Sequence, residues 1–104
     1  RGGLGVVREY EVLRPGTAIS LWWERTRTPG WGLHGGDSGA PGAVEILRAA
    51  GTERVLKVDR MPLDVGDRVV VRTGGGGGFG PADERPAEAV EEDLADGYVM
   101  AGAR

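Results

Sequence analysis

The sequence predicts an α+β fold that is mostly β, with antiparallel hairpins, a glycine-rich loop and one short C-terminal helix. Three observations carry this expectation. Apolar residues recur at strand spacing through most of residues 1–73, the run Gly74–Gly78 interrupts every periodic pattern, and helical spacing starts only after Pro86. The chain divides accordingly into a β-rich part (1–73), a glycine loop (74–81) and a helix (86–96), within one domain of 104 residues.

Leu4 to Leu13 (LGVVREYEVL) alternates loosely enough to form a strand, with Val7, Tyr10 and Val12 or Leu13 competing for the buried face. Arg14-Pro15-Gly16-Thr17 has turn chemistry, and Ala18 to Arg25 (AISLWWER) is β-prone, so a first hairpin is expected. Trp22 and Trp23 are neighbours on a strand, so one faces the core and the other faces away. Thr28 to Gly42 is dense in glycine and proline and reads as a long loop. There Trp31 either stays exposed as an apolar anchor or folds back on the sheet. Ala43 to Ala50 is too short to separate strand from helix and leans to strand. Gly51-Thr52-Glu53 turns the chain into Arg54–Arg60, which makes a second hairpin plausible. Leu63–Asp67 is a turn, and Arg68 to Thr73, with three consecutive valines, is the strongest strand signal and is expected at the centre of the sheet. After Pro86, residues Ala87, Val90, Leu94 and Tyr98 recur at helical spacing. Glu91, Glu92 and Asp93 read as a solvated face, and Gly97 as a left-handed cap.

Composition bounds the possible functions. Twenty glycines and only six aromatic residues leave little apolar mass for a core, and the absence of cysteine excludes a disulfide framework or a cysteine-ligated zinc site. Marginal stability in isolation follows. A net charge of −3 with scattered Lys and Arg disfavours nucleic-acid binding. The longest uncharged apolar stretch, Ala18 to Trp23, is far shorter than the roughly 20 residues that span a bilayer. The chain opens on Arg1 and shows no signal region or lipidation site, so the expected setting is cytoplasmic, and the start itself hints at a piece of something longer.

No catalytic set stands out. Gly75, Gly77 and Gly80 satisfy G-x-G-x-x-G only as any oligoglycine does, and Pro81 separates them from the helix that a dinucleotide site requires. No Lys-Ser or Lys-Thr follows, which excludes a Walker loop. A run without side chains can still form an anion-binding nest, or allow another segment of chain to approach closely. His34, the only histidine, lies near Asp37 and Ser38, but three neighbours on a glycine loop do not make a triad, and one His with one Asp is too few ligands for a metal. The residues therefore assign no catalytic or metal-ligating role, and the backbone of Gly75, Gly76 and Gly77, with Phe79 and His34, forms the candidate substrate-binding set.

Several motifs occur in a fixed order. Arg1-Gly2-Gly3-Leu4-Gly5-Val6-Val7-Arg8-Glu9-Tyr10 is followed by Gly30-Trp31-Gly32-Leu33-His34-Gly35-Gly36 with Gly39-Ala40-Pro41-Gly42. Gly66-Asp67 then precedes the valine strand, and Thr73-Gly74-Gly75-Gly76-Gly77-Gly78-Phe79-Gly80 follows it. Together with Glu84-Arg85, Glu88, Val90, Asp93 and Asp96-Gly97-Tyr98-Val99, this order closely resembles the C-terminal end of the hydantoinase B/5-oxoprolinase family. The chain departs from the family pattern after the loop: Gly80-Pro81-Ala82 stands for Gly-Asp-Pro and Arg85-Pro86-Ala87 for Arg-Asp-Pro. The helix thereby lacks an N-cap aspartate, which costs about 1 kcal/mol.

The resemblance implies the C-terminal part of an ATP-dependent amidohydrolase subunit that opens hydantoin or 5-oxoproline rings and is inactive alone. It implies that ATP and magnesium belong to a hydantoinase A-like nucleotide-binding partner. A divalent metal would belong to the N-terminal half of the same subunit. The implied partners are that remaining part, the nucleotide-binding subunit and a small cyclic amide, without nucleic acid or membrane. Two alternatives stand beside this expectation: the corresponding segment of an acetone carboxylase-type subunit, and a free-standing β-rich interaction module using Trp31 and the glycine loop.

Overall fold

The computed structural model describes residues 1–101. Six strands, a 3₁₀ turn at Ala82–Glu84 and one helix follow each other along the chain: β1 (Val7–Glu11), β2 (Ala18–Trp22), β3 (Ala43–Arg48), β4 (Gly51–Arg54), β5 (Lys57–Pro62), β6 (Arg68–Arg72) and α1 (Ala87–Ala95). The mostly antiparallel β architecture and the single short helix agree with the sequence expectation.

The pairing differs from the expected hairpins. A four-stranded antiparallel sheet runs β1-β6-β3-β4, and β2 pairs with β5 in a separate two-stranded ribbon. The Pro15-Gly16 turn forms, with Gly16 at φ +79°, but it carries the chain from one sheet to the other instead of closing a β1–β2 hairpin. The reason lies in which faces need covering. Ile19, Leu21 and Trp23 recur at period two and find Val58 and Met61 as apolar counterparts across the ribbon. β1 has no comparable inward stripe, and all five of its residues are exposed. Instead it supplies the outer neighbour of β6. Val69 and Val70 are both buried, one on each face, and β6 lies between two strands, with Glu9 opposite Val70 on one edge and Glu45 opposite Val70 on the other.

The second hairpin is present but shifted. β3 reverses through Ala49-Ala50 into β4, with Arg48 opposite Gly51, so the turn precedes Gly51-Thr52-Glu53 instead of occupying it. The expected strand Arg54–Arg60 splits at Val55-Leu56 because its two halves serve different sheets. Ala43 to Ala50 resolves as a strand because Val44 and Ile46 alternate inward and are completely buried.

The core lies between the sheet and the ribbon. Val12, Val44, Ile46, Val55, Leu63 and Val69 form it, and Ile19, Leu21, Trp23, Val58, Met61 and Val71 pack around it. Val12 is the member of its strand region that is buried, while Val7, Tyr10 and Leu13 stay exposed. Trp23 faces this core and Trp22 faces outward. The Leu63–Asp67 turn ties the layers together. Buried Asp67 accepts the Asp64 N–H on Oδ2 at 2.8 Å, and its carbonyl accepts the Val12 N–H at 2.9 Å. Leu63 N–H donates to the Thr17 carbonyl at 2.9 Å.

The molecule is long, 52 × 27 × 18 Å, with a radius of gyration of 17.4 Å, against about 13 Å for a spherical domain of this length. Strands account for one end. Glycine segments build the other. Among the described residues no helix is long and apolar enough to cross a membrane.

Because Ile46 is fully enclosed, Ile46→Ala is expected to cost about 3 kcal/mol in urea denaturation, whereas Val7→Ala on the exposed edge strand changes stability by less than about 0.5 kcal/mol.

Candidate functional site

The glycine run continues from β6 in extended form, and three other stretches surround it: residues 2–6, 30–33 and 36–40. Its amides reach more than one neighbour: those of Gly75 and Gly78 go to the 36–40 stretch and that of Gly76 to the N-terminal stretch. Gly75 N–H donates to the Ala40 carbonyl (3.2 Å), Gly76 N–H to Gly3 (2.9 Å) and Gly78 N–H to Asp37 (2.9 Å). Leu33 N–H donates to Gly78 at 2.9 Å and Gly80 N–H returns to Leu33 at 2.8 Å, which forms a parallel bridge between Leu33 and Phe79. At the entrance Thr73 N–H donates to Val6, while Val6 N–H donates to Thr73 Oγ1 at 2.7 Å.

Side chains are excluded from this bundle on steric grounds. A Cβ on Gly77 would overlap the Trp31 carbonyl, one on Gly36 the Gly78 carbonyl, one on Gly39 the Gly75 carbonyl and one on Gly2 the Gly76 carbonyl. Glycine is therefore required at each of these crossings, which explains why the glycines of the Thr28–Gly42 loop accompany those of the run.

The sequence-predicted site residues separate into three environments. Gly75 and Gly76 spend their amides inside the bundle, and Gly77 packs against Trp31. Gly76 and Phe79 border a cleft of about 530 Å³ between the bundle and the segment leading into α1, whose polar lining includes Asp37, Ser38, Glu84 and Arg85. His34 does not line that cleft and packs instead against Phe79, which does. Separated by 45 positions in the sequence, the two rings come together with centroids 4.9 Å apart at 56°. Both side chains are exposed. Among the described residues no hydrogen bond links His34, Asp37 and Ser38, and no three metal-ligating side chains converge. Trp31 remains exposed, with the Arg25 guanidinium 5.8 Å from its ring centre.

His34 adopts φ +49° and Gly35 φ +86°, and the Gly36 N–H closes the turn on the Leu33 carbonyl at 2.9 Å. Positive φ at both central residues makes this a type I′ turn. For a residue with a Cβ the conformation costs about 1 kcal/mol, a value at the low end because histidine tolerates it better than most.

α1 corrects one expectation. Asp93, expected on a solvated acidic face, is buried. Arg1 holds it through Nε and Nη2, at 2.8 and 3.1 Å, and Arg85 Nη2 approaches Oδ2 at 2.7 Å. Tyr98 stacks against the Arg1 guanidinium at 5.1 Å. The hydrogen bond from Arg1, aided by the charges of Arg1 and Arg85, holds the Asp93 carboxyl below its ordinary pKa. No local pattern signals this pairing, because Arg85 precedes the helix on extended backbone and Arg1 lies 92 positions from Asp93. The helix starts at Pro86 without a side-chain cap, as its sequence implied. It ends with Gly97 at φ +75° and the Tyr98 N–H on the Asp93 carbonyl at 2.9 Å.

Two outcomes follow from this geometry. Gly77→Ala should destabilise the protein by about 2–3 kcal/mol in denaturant titration, because the clash is with backbone, whereas Gly3→Ala, which meets nothing within 4 Å, should be close to neutral. A depressed carboxyl pKa contributes stability that is fully present above the unfolded value near 3.8 and is lost as pH falls through the folded value. Amide shifts of Ala87–Ala95 followed by NMR should therefore report α1 detaching below about pH 4, and Asp93→Asn should remove that acid transition.

Comparison with known proteins identifies the family. The hydantoinase B/oxoprolinase family model matches residues 1–82. An uncharacterized protein of Methanocaldococcus jannaschii is 34% identical over 96 residues, covering 92% of this chain and 17% of that protein. An uncharacterized Schizosaccharomyces pombe protein is 33% identical over 113 residues, covering 95% of this chain and 8% of its own length. A Pseudomonas sp. protein that bears the name of a D-/L-hydantoinase B component is 29% identical over 102 residues, 95% of this chain and 17% of that protein. This chain thus spans 8–17% of the length of these relatives. No solved structure matches. The chain belongs to the hydantoinase B/oxoprolinase family.

Proposed function

We propose that this chain forms the C-terminal scaffold of a subunit that opens cyclic amides such as hydantoin or 5-oxoproline in an ATP-dependent complex, and that it is inactive by itself. The observation that carries the proposal is the glycine bundle in a chain of this family: three regions far apart in sequence, residues 2–6, 30–40 and 74–80, are drawn together backbone to backbone. Such a bundle presents Phe79 and the turn at His34 on a rigid support.

In this proposal the cleft beside Gly76 and Phe79 faces the small ring. Gly75 and Gly77 act from behind it, by letting Ala40 and Trp31 approach closely enough to fix the position of Phe79. A flat amide ring can lie against the Phe79 face, with Ser38 and Arg85 within the same cleft as hydrogen-bonding groups. Nucleotide chemistry would belong to a hydantoinase A-like partner and a divalent metal to the remaining part of the same subunit. Among the described residues no ligand set converges on a metal ion. A cytoplasmic setting without membrane or nucleic-acid partners is part of the same proposal, and the acidic net charge of −3 supports the absence of a nucleic-acid partner.

The purified 104-residue chain should show no turnover of hydantoin or 5-oxoproline with ATP. The full-length subunit, assembled with its nucleotide-binding partner, should release the ring-opened product and ADP. Turnover by the isolated chain would refute the scaffold role, and an assembled complex that opens neither ring would refute the substrate class.

A further inference from the structure

Strand β1 ends the four-stranded sheet on one side and pairs only with β6. The bonds at its two ends fix which of its amides are used. Thr73 N–H donates to the Val6 carbonyl and Val12 N–H to the Asp67 carbonyl, each at 2.9 Å. In the antiparallel register that sets Tyr10 opposite Val69, even-numbered residues therefore bond to β6. The N–H and C=O groups of Val7, Glu9 and Glu11 point away from the sheet. Among the described residues no backbone group accepts a hydrogen bond from those three amides. Such an edge is a template for a further strand unless proline, a bulge or free charge blunts it. β1 has no proline, its register is unbroken, and Glu9 and Glu11 are tied to Arg68 of the neighbouring strand at 3.0 and 3.9 Å.

The side chains beside this edge form an apolar groove. Tyr10 stands opposite the core residue Val69 and so faces the ribbon, yet it is 53% exposed. Between it and Ile19 of β2 the two β layers leave a groove of about 510 Å³, floored by buried Val12, Leu63 and Val69 and flanked by Leu13, which is 74% exposed. β2 also pairs on one side only, with β5. The groove thus lies between two open strand edges above an apolar floor, where a packed pair of β layers would carry another strand. It shares no lining residue with the cleft at Phe79. Leu4, Val6, Val7, Tyr10 and Leu13 are all exposed within this one segment, a density that marks an interaction surface.

The length of the relatives indicates the occupant. Proteins matched over 92–95% of this chain devote 8–17% of their own length to it, so more than four fifths of each is other sequence. A segment tethered in the same polypeptide reaches the edge at a far higher effective concentration than a second copy or a separate subunit does. We propose that an extended segment from the remaining part of the same subunit pairs as an additional strand with Val7, Glu9 and Glu11 of β1 and lays apolar side chains against Tyr10, Leu13 and Ile19. This inference rests on the reading of the chain as one part of a longer subunit, and not on the ring chemistry.

The test is hydrogen–deuterium exchange at single amides of the full-length subunit, purified without its nucleotide-binding partner, at two concentrations about a hundredfold apart. Arg8 and Tyr10 are internal controls, because β6 protects their amides whether or not the edge is covered. The expected result is exchange of Val7, Glu9 and Glu11 at least about a hundredfold slower than in an unstructured peptide, equally at both concentrations. Leu13→Asp places an unpaired charge in the covered groove and should speed those three amides about tenfold, with Arg8 and Tyr10 unchanged. If that variant does not fold, Leu13→Asn is measured in its place, and wild-type exchange at the three amides in the folded variant overturns the proposal. Val7, Glu9 and Glu11 at peptide rates beside protected controls also overturn it, and so does fast exchange of the controls, since β1 itself would then be unpaired. Protection that grows with concentration gives the edge to a second copy, and protection that appears only with the nucleotide-binding partner gives it to that partner. Either result overturns the proposal. Ring opening by the assembled complex is scored on the same preparation. Turnover with an open edge sinks this inference alone, whereas a covered edge without turnover supports it while the substrate reading fails.

Discussion

Backbone-to-backbone contact within the glycine bundle is the constraint on which the rest of this structure depends. Extended stretches approach one another closely enough that a single methyl group would collide with a carbonyl, and amides of the run bond to two neighbours, those of Gly75 and Gly78 to one and that of Gly76 to the other. Apolar burial contributes little at this end, because the contacting surfaces have no side chains. Stability there comes from hydrogen bonds and close packing, each modest singly and collectively able to hold the segments in register. The cost is the large backbone entropy that glycine loses when it is fixed. A small apolar core at the opposite end, centred on Val44 and Ile46, and the ionic clasp at Asp93 flank the bundle and limit the freedom of its ends.

This arrangement connects fold to function through rigidity. A flexible glycine loop would present Phe79 in many orientations, whereas a loop bonded on several sides presents it in one. The same cross-links carry the His34 turn, so two rings from distant parts of the chain meet at a fixed separation. Family membership supplies the chemical context of the proposed scaffold role, and this chain spans 8–17% of the length of these relatives.

Much of this was legible in the sequence, and what was not has a physical cause. Strand positions followed from β-branched residues at period two, and the Pro15-Gly16 turn, the start of α1 and the Gly97 cap followed from local backbone preferences. Pairing did not follow, because Ile19 and Leu21 are satisfied by any apolar strand and nothing local indicates β5 over β1. β6 takes β1 and β3 as its neighbours, and β2 is left to pair with β5. Asp93 was misplaced because a buried carboxylate is unfavourable until its partners are known, and Arg1 lies 92 positions away. At the site, His34 and Phe79 were legible as candidates individually. Their contact was not, since it depends on how the bundle folds. The oligoglycine run left two possibilities open, an exposed amide nest and a close-packed crossing, and the amides of Gly75, Gly76 and Gly78 are engaged in the second.

The most direct test of this account is hydrogen–deuterium exchange at individual glycine amides in the full-length subunit. If the bundle is a hydrogen-bonded scaffold, Gly75, Gly76 and Gly78 will be protected to an extent comparable with Val69–Val71 of β6, because all of them donate to fixed carbonyls. Exchange of these three amides at the rate of an unstructured peptide, with β6 still protected, would contradict it.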